Sequence, residues 1–235
     1  MSGYERIVFD HMKDNLEMHL CMNTHLQLYT FAHTYIYGKS VIDAACGTCF
    51  GAMIYSTGAK NLICVDKSKE AIEYGKKLPI FCPVVYLVRD LDKEVLPMAD
   101  SCVSVETLEH LDGKGFFLKN LKVKELIFSL PIDMPGGHHK LTFKTPEDGV
   151  KHLNKNGWDV TFGVVSQGQA DVQLTEGRRG LLKATNLLGV ARRYETKRKD
   201  SKERRTSTGC GMSRPETGEF HWDRWTSKAG GGHST

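Results

Sequence analysis

Residues 41–51, VIDAACGTCFG, have the types and spacing most suited to chemistry, because an apolar run ends in Asp43 and then breaks into small residues and glycine. This pattern is typical of a buried strand that becomes a ligand-binding loop, where glycine permits close backbone approach and the next helix offers free N–H groups. A second apolar run, residues 61–65, ends in Asp66, nineteen residues after Gly47. At that distance a carboxylate can reach a ribose hydroxyl pair, which indicates an adenosine-containing cofactor.

The elements that must position these residues are short apolar strands. From Ser40 onward they alternate with segments of helical length, which predicts an α/β fold with a mostly parallel sheet covered by helices on both faces. The predicted strands span residues 41–44, 62–65, 84–88, 103–105 and 126–130. Ligands bind at the carboxyl ends of such strands, so the candidate site residues are those that follow: 43–51, 66, 90 and 106–110.

Helices and two further strands complete the predicted domain. Residues 9–37 have an imperfect apolar face that ends at Gly38, which predicts an N-terminal helical cap over residues 1–38. Thr145 can cap a helix with Pro146 at its first position. Residues 158–165 and 170–174 have strand composition, which would complete a seven-stranded sheet in a domain of residues 39–175.

The composition fits one sizeable domain. Of the 235 residues, 40% are hydrophobic and 26% charged, which is ordinary for a globular α/β protein. No apolar run approaches the roughly 20 residues that a membrane helix requires. The first residues, MSGYER, lack a signal-peptide apolar core. We therefore expect a cytoplasmic protein without a membrane partner.

The cysteines do not indicate a disulfide framework, because their number, seven, is odd. Cys64, Cys82 and Cys102 lie in or beside apolar runs, where a thiol behaves as a small hydrophobe. Cys46 and Cys49 form a CxxC pair, but the sequence has no second CxxC or suitably spaced Cys/His pair to complete a tetrahedral site. The sequence therefore does not predict metal or redox chemistry for this pair.

The last quarter of the chain differs in charge from the rest. Residues 177–235 carry 14 lysines and arginines against 6 acidic residues, whereas residues 1–176 carry 18 against 22. Glycine, serine, threonine and basic residues dominate from residue 176, which predicts a basic, flexible extension over residues 176–235, with a short helix over 181–193 as an option. Such an extension can bind nucleic acid through phosphates or a partner protein, and both alternatives remain open.

Together these motifs resemble class I S-adenosylmethionine-dependent methyltransferases. The D-x-A-C-G-T-x-x-G arrangement from Asp43 is similar to their first motif, and VDKSKEAI from Val65 to their second strand and the helix after it. The sequence around Asp90, RDL, is similar to their third-strand motif, and residues 103–111, VSVETLEHL, to the fourth. The resemblance covers roughly residues 20–170. It implies a Rossmann-like fold, S-adenosylmethionine as cofactor and a transferase activity.

The resemblance also implies roles for individual residues. Asp66 would bind the ribose hydroxyls, since a carboxylate can accept two charge-assisted hydrogen bonds. Asp90 would bind the adenine amine, and the loop after the first strand the methionine end. The cofactor-binding residues implied in this way are Asp43, Ala45, Gly47, Gly51, Asp66, Lys67, Asp90, Leu91 and Glu106.

Glu106, Glu109 and His110 form an E-x-x-E-H pattern whose side chains would share one face if the chain turns helical there. The pattern resembles that of ubiquinone-type O-methyltransferases and of small-RNA 2′-O-methyltransferases, where it forms a divalent-metal site with a downstream histidine, here His138 or His139. Alternatively, Glu106 contacts the cofactor while Glu109 and His110 hold each other in place. The candidate catalytic residues are His110, Glu106 and His139, with a histidine as base toward a hydroxyl acceptor.

Three functions follow from these patterns. The first is S-adenosylmethionine-dependent methylation of an oxygen or nitrogen atom, with a small-molecule or glycan acceptor favoured. The second is RNA 2′-O-methylation with a divalent metal, which the E-x-x-E-H pattern and the basic extension favour. The third is a non-catalytic binding or assembly protein on a degenerate methyltransferase fold, which Cys49 favours because the family usually has glycine at this position.

Overall fold

The computed structural model describes residues 16–134, 138–173, 179–194 and 224–225. The strands in this part of the chain are β1 (Ser40–Ala44), β2 (Asn61–Asp66), β3 (Val84–Val88), β4 (Ser101–Ser104), β5 (Glu125–Ile132), β6 (Trp158–Gln173), β7 (Arg179–Arg193) and β8 (Arg224–Trp225). The helices are α1 (Leu16–His33), α2 (Phe50–Tyr55), α3 (Lys69–Gly75), α4 (Phe116–Asn120) and α5 (Pro146–Lys155), with a 3₁₀ helix at Leu108–His110.

All eight strands belong to one sheet with the order β3-β2-β1-β4-β5-β7-β6-β8. The strands β1 to β5 pair in parallel, and β7 runs antiparallel to both β5 and β6. The predicted mostly parallel, seven-stranded sheet is confirmed for β1 to β7, and β8 adds two residues beside β6. Because the five parallel strands point the same way, the residues that follow them meet at one edge of the sheet.

Helices cover both faces of the sheet, as the continuous apolar runs predicted. Every residue of β4 is buried, as are the last seven of the eight residues of β5. The buried side chains form two clusters, one containing Phe128 and Trp158 and the other Tyr55 and Ile127. Neighbouring residues of one strand, Ile127 and Phe128, therefore serve opposite faces, as strand geometry requires.

The position of β7 corrects the sequence prediction. Residues 179–193 were expected to begin a flexible extension, with a short helix as an option, but they form a strand inserted between β5 and β6. β6 continues through residue 173, so the segment from residue 170 is part of β6 and does not form the separate strand predicted there. The sequence did not indicate β7, because the glycines and basic residues of this segment do not follow the two-residue alternation of a strand. Its pairing also involves residues far away in the sequence: Glu125 lies 67 positions before its partner Arg192.

Arg193 fastens the end of β7 to the rest of the domain. Its Nη2 atom donates hydrogen bonds to the carbonyl oxygens of Leu118, Lys119 and Leu121 at 2.7, 2.9 and 2.8 Å. These carbonyls lie at the end of α4, where a helix leaves its last acceptors unpaired. The guanidinium carbon also lies 4.6 Å from the centre of the Trp158 ring, a cation–π contact. One side chain thus joins β7, α4 and β6.

The structure confirms the predicted cap of α5 and the predicted N-terminal helix. Thr145 caps α5, accepting a hydrogen bond from Asp148 N while the Asp148 carboxylate accepts one from Thr145 N. The predicted N-terminal helix is present as α1, and residues 1–15 lie outside the described part. Within the described residues, no helix is long and apolar enough to cross a membrane. Most of the predicted basic extension, residues 195–223 and 226–235, also lies outside the described residues.

Two truncations test whether β7 is integral to the domain. A chain that ends after Gln173 loses the strand between β5 and β6, together with the Arg193 contacts, and we expect it to lack a cooperative thermal transition. A chain that ends after Tyr194 keeps β1 to β7, and we expect it to melt within a few degrees of the full chain. Circular dichroism melts of the three proteins make the comparison, and equal stability of the two truncations would contradict the topology.

Candidate functional site

The loop between β1 and α2 opens the candidate site at the carboxyl edge of the sheet. Ala45, Gly47 and Cys49 all have positive φ angles, of 55°, 54° and 63°. Left-handed backbone of this kind costs energy at non-glycine residues, so surrounding contacts must hold it. One such contact is the hydrogen bond from Cys46 N to Val65 O, 2.9 Å long, which joins the loop to β2.

Asp66, the last residue of β2, organises the loop and the next helix. Its Oδ2 atom accepts a hydrogen bond from Gly47 N at 2.9 Å, and its Oδ1 atom accepts one from Ser68 N at 2.8 Å. Ser68 is in turn the N-cap of α3, accepting a hydrogen bond from Ala71 N. The residue is 6% exposed. A carboxylate has about four lone-pair sites, so these two hydrogen bonds do not exhaust its acceptor capacity.

Asp90 follows β3 and faces the same side of the sheet. Its Oδ1 atom accepts a hydrogen bond from Asp92 N at 3.0 Å, and its Oδ2 atom lies 2.8 Å from Lys93 Nζ. The Lys93 ammonium lowers the pKa of Asp90, so this carboxyl group is ionised at neutral pH. The buried Leu91 follows directly and provides an apolar surface beside the charge.

Glu106 lies after β4 in a strained backbone conformation, with a φ of 47°. Ser129 of β5 holds it twice: Ser129 Oγ accepts a hydrogen bond from Glu106 N and donates one to Glu106 Oε1, both 2.9 Å long. Burial raises the pKa of Glu106 to about 7, against the lowering effect of the Ser129 hydrogen bond. Sequence reasoning missed Ser129, although a polar residue inside the buried run of β5 was a signal for it.

The E-x-x-E-H residues do not share one helix face, which corrects the prediction. The 3₁₀ helix begins at Leu108, after Glu106, so Glu106 is outside it. Instead, ligand atoms of Glu109, His110 and His139 lie within 4.8 Å of one another. The rings of the two histidines meet edge to face, with their centroids 4.9 Å apart. At this end of the cleft these three residues, and not Glu106, have ligand atoms close enough together to hold a metal ion.

Backbone hydrogen bonds bring His139 to this position. Lys140 N and Leu141 N both donate to the backbone oxygen of Glu109, at 2.8 and 3.0 Å. His110 Nδ1 also lies 3.4 Å from the backbone oxygen of His138. The segment after β5 is therefore attached to the 3₁₀ helix, which explains how histidines nearly thirty residues apart in sequence come together.

Glu109 is the most enclosed acid of the site. Its side chain is fully buried, and neither carboxylate oxygen has a hydrogen-bond partner. The imidazole of His110 is close by, with its Nε2 atom 3.6 Å from the Oε1 atom of Glu109. Burial, followed by the nearby Glu106 charge, raises the pKa of Glu109 well above its usual range. A cation next to this carboxylate would remove a large part of its desolvation cost.

A cleft of about 940 Å³ lies at this edge of the sheet, within the upper range for ligand pockets. Eight of the predicted site residues line it: Ala45, Gly47, Asp66, Lys67, Asp90, Leu91, Glu106 and His110. Its other walls include Asp92, Asp112, Lys114, Phe116, Lys119, Asn120 and Lys140, which sequence reasoning did not find. These residues come from loops and from α4, whose positions depend on tertiary packing.

Three predicted site residues, Asp43, Gly51 and His139, do not line this cleft. Gly51 lies in α2 against the Tyr29 ring, where a Cβ atom would come within 3.0 Å of a ring carbon. Asp43 is buried beneath the loop, and its Oδ2 atom has no hydrogen-bond partner. Burial, then the Cys49 thiol group and Asp66, raise the pKa of Asp43 well above its usual range. Direct cofactor contacts of Asp43 and Gly51 stay predictions.

Cys49, which stands where the resembling family usually has glycine, directs its side chain away from the cleft. Its sulfur packs against α3, where a Cβ atom on Gly75 would overlap it. The side chain is fully buried and Cys49 is not part of the cleft wall. The thiol therefore does not occupy the space that a ligand of the cleft would need.

No protein-family profile matches the sequence, and no curated protein sequence matches it significantly. The sheet order and the cleft at its carboxyl edge give the chain the Rossmann-like fold of solved methyltransferase structures, the fold that the sequence motifs predicted. Similar solved structures include a candidate methyltransferase from Bacillus halodurans C-125, at 12% identity and a TM-score of 0.57 over 72% of this chain and 98% of that one.

Two further similar structures have more specific names. Magnesium protoporphyrin IX methyltransferase from Synechocystis PCC 6803, solved with bound S-adenosylhomocysteine, is 16% identical, with a TM-score of 0.56 over 76% of this chain and 87% of that one. A candidate RNA methyltransferase from Pyrococcus horikoshii is 18% identical, with a TM-score of 0.53 over 73% and 83%. At these identities the similarity establishes the fold.

The raised pKa of Glu106 predicts a pH-dependent stability. Below the unfolded-state pKa near 4.5, both states are protonated; between there and about pH 7, the folded state keeps a proton that the unfolded state has lost. Stability should therefore fall as pH rises through this window. We expect Glu106→Gln to make the fall in melting temperature shallower, and the exposed Glu70→Gln control to leave it unchanged. Parallel profiles for wild type and Glu106→Gln would contradict the assignment.

Proposed function

We propose that this protein is an S-adenosylmethionine-dependent methyltransferase that acts on an oxygen or nitrogen atom of a small-molecule or glycan acceptor. The observation that carries the proposal is the position of Asp66 in the cleft, at the end of β2. It holds the glycine loop through Gly47 N, and it also lines the cleft. The fold and the four sequence motifs support the same cofactor.

The donors and acceptors of the cleft fit this cofactor. Asp66 would accept hydrogen bonds from the ribose hydroxyls, and Asp90 with the apolar Leu91 would bind the adenine. Ala45 and Gly47, both with positive φ, expose loop backbone to the cleft for the methionine end. The bound cofactor supplies an electrophilic methyl group on a sulfonium. The acidic wall formed by Asp66 and Glu106 suits a positively charged ligand.

His110 is the group best placed to act on the acceptor. Its ring lines the cleft and lies beside Glu109, whose carboxylate oxygen is 3.6 Å from Nε2. A neutral imidazole there would take the proton of an acceptor hydroxyl. Alignment of the acceptor with the methyl group contributes most to such a reaction. Phe116 and Asn120, which also line the cleft, would orient a compact acceptor.

Support for a small acceptor comes from the size of the cleft and from one similar structure. About 940 Å³ is enough for the cofactor with a modest additional group. The Synechocystis protein, named as a methyltransferase of magnesium protoporphyrin IX, has a small-molecule acceptor on the same fold. Asp112 and Lys114 would supply polar contacts to such an acceptor at the mouth of the cleft.

The first test is thermal stability with and without S-adenosylhomocysteine. A ligand at 100 times its dissociation constant adds about 2.7 kcal/mol to the free energy of unfolding, so the melting temperature should rise clearly. We expect the rise to be lost in Asp66→Ala and kept in Asp112→Ala, which removes a cleft carboxylate on the acceptor side. No rise for wild type at millimolar ligand would favour the alternative of a non-catalytic protein on this fold.

A second candidate function is metal-dependent 2′-O-methylation of RNA, favoured by the group of Glu109, His110 and His139. Its ligand atoms lie within 4.8 Å of one another, and Glu109 has two buried oxygens without hydrogen bonds. One carboxylate with two imidazoles suits manganese, zinc or iron better than magnesium. The Pyrococcus protein, named as a candidate RNA methyltransferase, shares the fold. Basic residues beyond β7 would then contact phosphates.

A metal requirement would distinguish the two functions. If the RNA function holds, a chelator should abolish methyl transfer to an RNA 3′ end, Mn²⁺ should restore it, and a 2′-deoxy end should accept no methyl group. His139→Ala should lower the Mn²⁺ affinity by at least tenfold, since it removes one of three ligands, while His152→Ala, a histidine of α5 outside this group, should leave it unchanged. Activity on small acceptors that is indifferent to chelator and Mn²⁺ would reject the metal-dependent function.

A further inference from the structure

Three cysteines that are separate in sequence meet beneath the loop of the cleft. Cys46 and Cys49 come from the loop itself, and Cys64 comes from the middle of β2. The three sulfur atoms lie within 4.8 Å of one another, and those of Cys46 and Cys49 are 3.6 Å apart. All three residues are buried, and none forms a disulfide. Sequence reasoning found only the CxxC pair, because the third member belongs to a neighbouring strand.

The spacing of the sulfur atoms suits a metal ion. Zinc binds cysteine sulfur at about 2.3 Å, and two sulfurs on a tetrahedral zinc are therefore about 3.8 Å apart. The Cys46–Cys49 separation of 3.6 Å is already close to that value. Cys64 needs at most about 1 Å of movement, since its sulfur is within 4.8 Å of the others. Side-chain rotation supplies such a shift without moving the strand.

A buried acid on the neighbouring strand β1 is the candidate for a fourth ligand. Asp43 is the register partner of Cys64 in the parallel pair of β1 and β2, so both side chains point to the same face of the sheet. Its Oδ2 atom is buried and has no hydrogen-bond partner, although buried polar atoms nearly always have one. Carboxylate oxygen is an established zinc ligand. An unpaired buried oxygen on the same face of the sheet as Cys64 is thus an independent indication of a ligand in this region.

Simple packing does not account for the arrangement equally well. Cys102, in the other core cluster, shows what a buried cysteine does by itself: it is fully buried, and its thiol donates a weak hydrogen bond to Val103 O. Cys49 donates a comparable weak hydrogen bond to Cys46 Sγ, but it also occupies a left-handed position with a φ of 63°, where glycine would carry no strain. Retaining a side chain there has an energetic cost that a metal ligand would offset.

We propose that Cys46, Cys49 and Cys64, with Asp43 as the fourth ligand, form a buried zinc site that fixes the loop of the cleft to β2. Each coordinating thiol releases its proton to solvent as its S–Zn bond forms. Cys46, 8% exposed, is the member nearest the surface and marks the route by which the ion enters. The cluster is separate from the group of Glu109, His110 and His139 and contains a different ligand chemistry.

The site would control the geometry of the cleft wall. Cys46 lies between Ala45 and Gly47, both of which line the cleft, and β2 ends two residues after Cys64 at Asp66. A zinc ion would therefore link the loop to β2, the same two segments that the hydrogen bond from Gly47 N to Asp66 connects. This consequence for cofactor binding rests on the proposed methyltransferase function, whereas the metal site itself does not.

Cobalt(II) titration of the reduced, metal-free full chain tests the site, because thiolate-bound cobalt has a charge-transfer absorption whose intensity follows the number of sulfur ligands. We expect one equivalent of Co²⁺ with the intensity of three thiolates, and displacement of the band by one equivalent of Zn²⁺. Cys64→Ser and Cys49→Gly should each lower the intensity to about two thirds or less and weaken binding at least tenfold. Cys49→Gly should remain folded, since glycine suits its φ angle.

Cys102→Ser is the matched control, a buried cysteine of strand β4 in the other core cluster, and it should keep the full wild-type band. No charge-transfer band in the reduced wild type would overturn the proposal. So would a band that Cys64→Ser and Cys49→Gly leave unchanged, because the sulfur ligands would then lie elsewhere in the chain. Cobalt bound without a thiolate band would place the ion with Glu109 and the histidines, and would equally reject the cysteine site. None of these outcomes depends on methyl transfer.

Discussion

The geometry of the cleft depends on one charge, the carboxylate of Asp66 at the end of β2. A carboxylate that is 6% exposed requires strong hydrogen bonds, and it takes them from Gly47 N of the loop and Ser68 N at the start of α3. The same two bonds hold a loop with three left-handed residues and define where α3 begins. The acid that is proposed to bind the cofactor is therefore also the acid that shapes the cleft around it.

Acidic groups with incomplete partners gather at this edge of the sheet. Glu109 has no hydrogen bond to either carboxylate oxygen, Asp43 has one unpaired oxygen, and the Glu106 carboxylate accepts a hydrogen bond from Ser129. Burial makes each of these groups expensive to ionise, which raises their pKa values. A cation offsets that cost directly. The arrangement is thus suited to positively charged ligands, whether a sulfonium or a metal ion, more than to neutral ones.

How well the sequence predicted a feature depended on how far apart along the chain the residues that determine it lie. The strands β1 to β5 were predicted to within a few residues, because continuous apolar runs bounded by turns are local signals. The capping box of Thr145 was equally readable, since both partners lie within one helical turn. The prediction failed at β7, whose strand state comes from pairing with β5 and β6, and at the 3₁₀ helix, which begins after Glu106 and leaves it off the expected face.

The sequence by itself determined which residues end the strands, because apolar runs, acids and glycines are encoded locally; eight of its predicted site residues therefore line the cleft. Tertiary structure decided which of them meet. It brought His139 to Glu109 through backbone hydrogen bonds from Lys140 and Leu141, and Cys64 to the CxxC pair through the register of two strands. In both cases the residues are 15 or more positions apart in the sequence, so the distance between their side chains is set only when the chain folds.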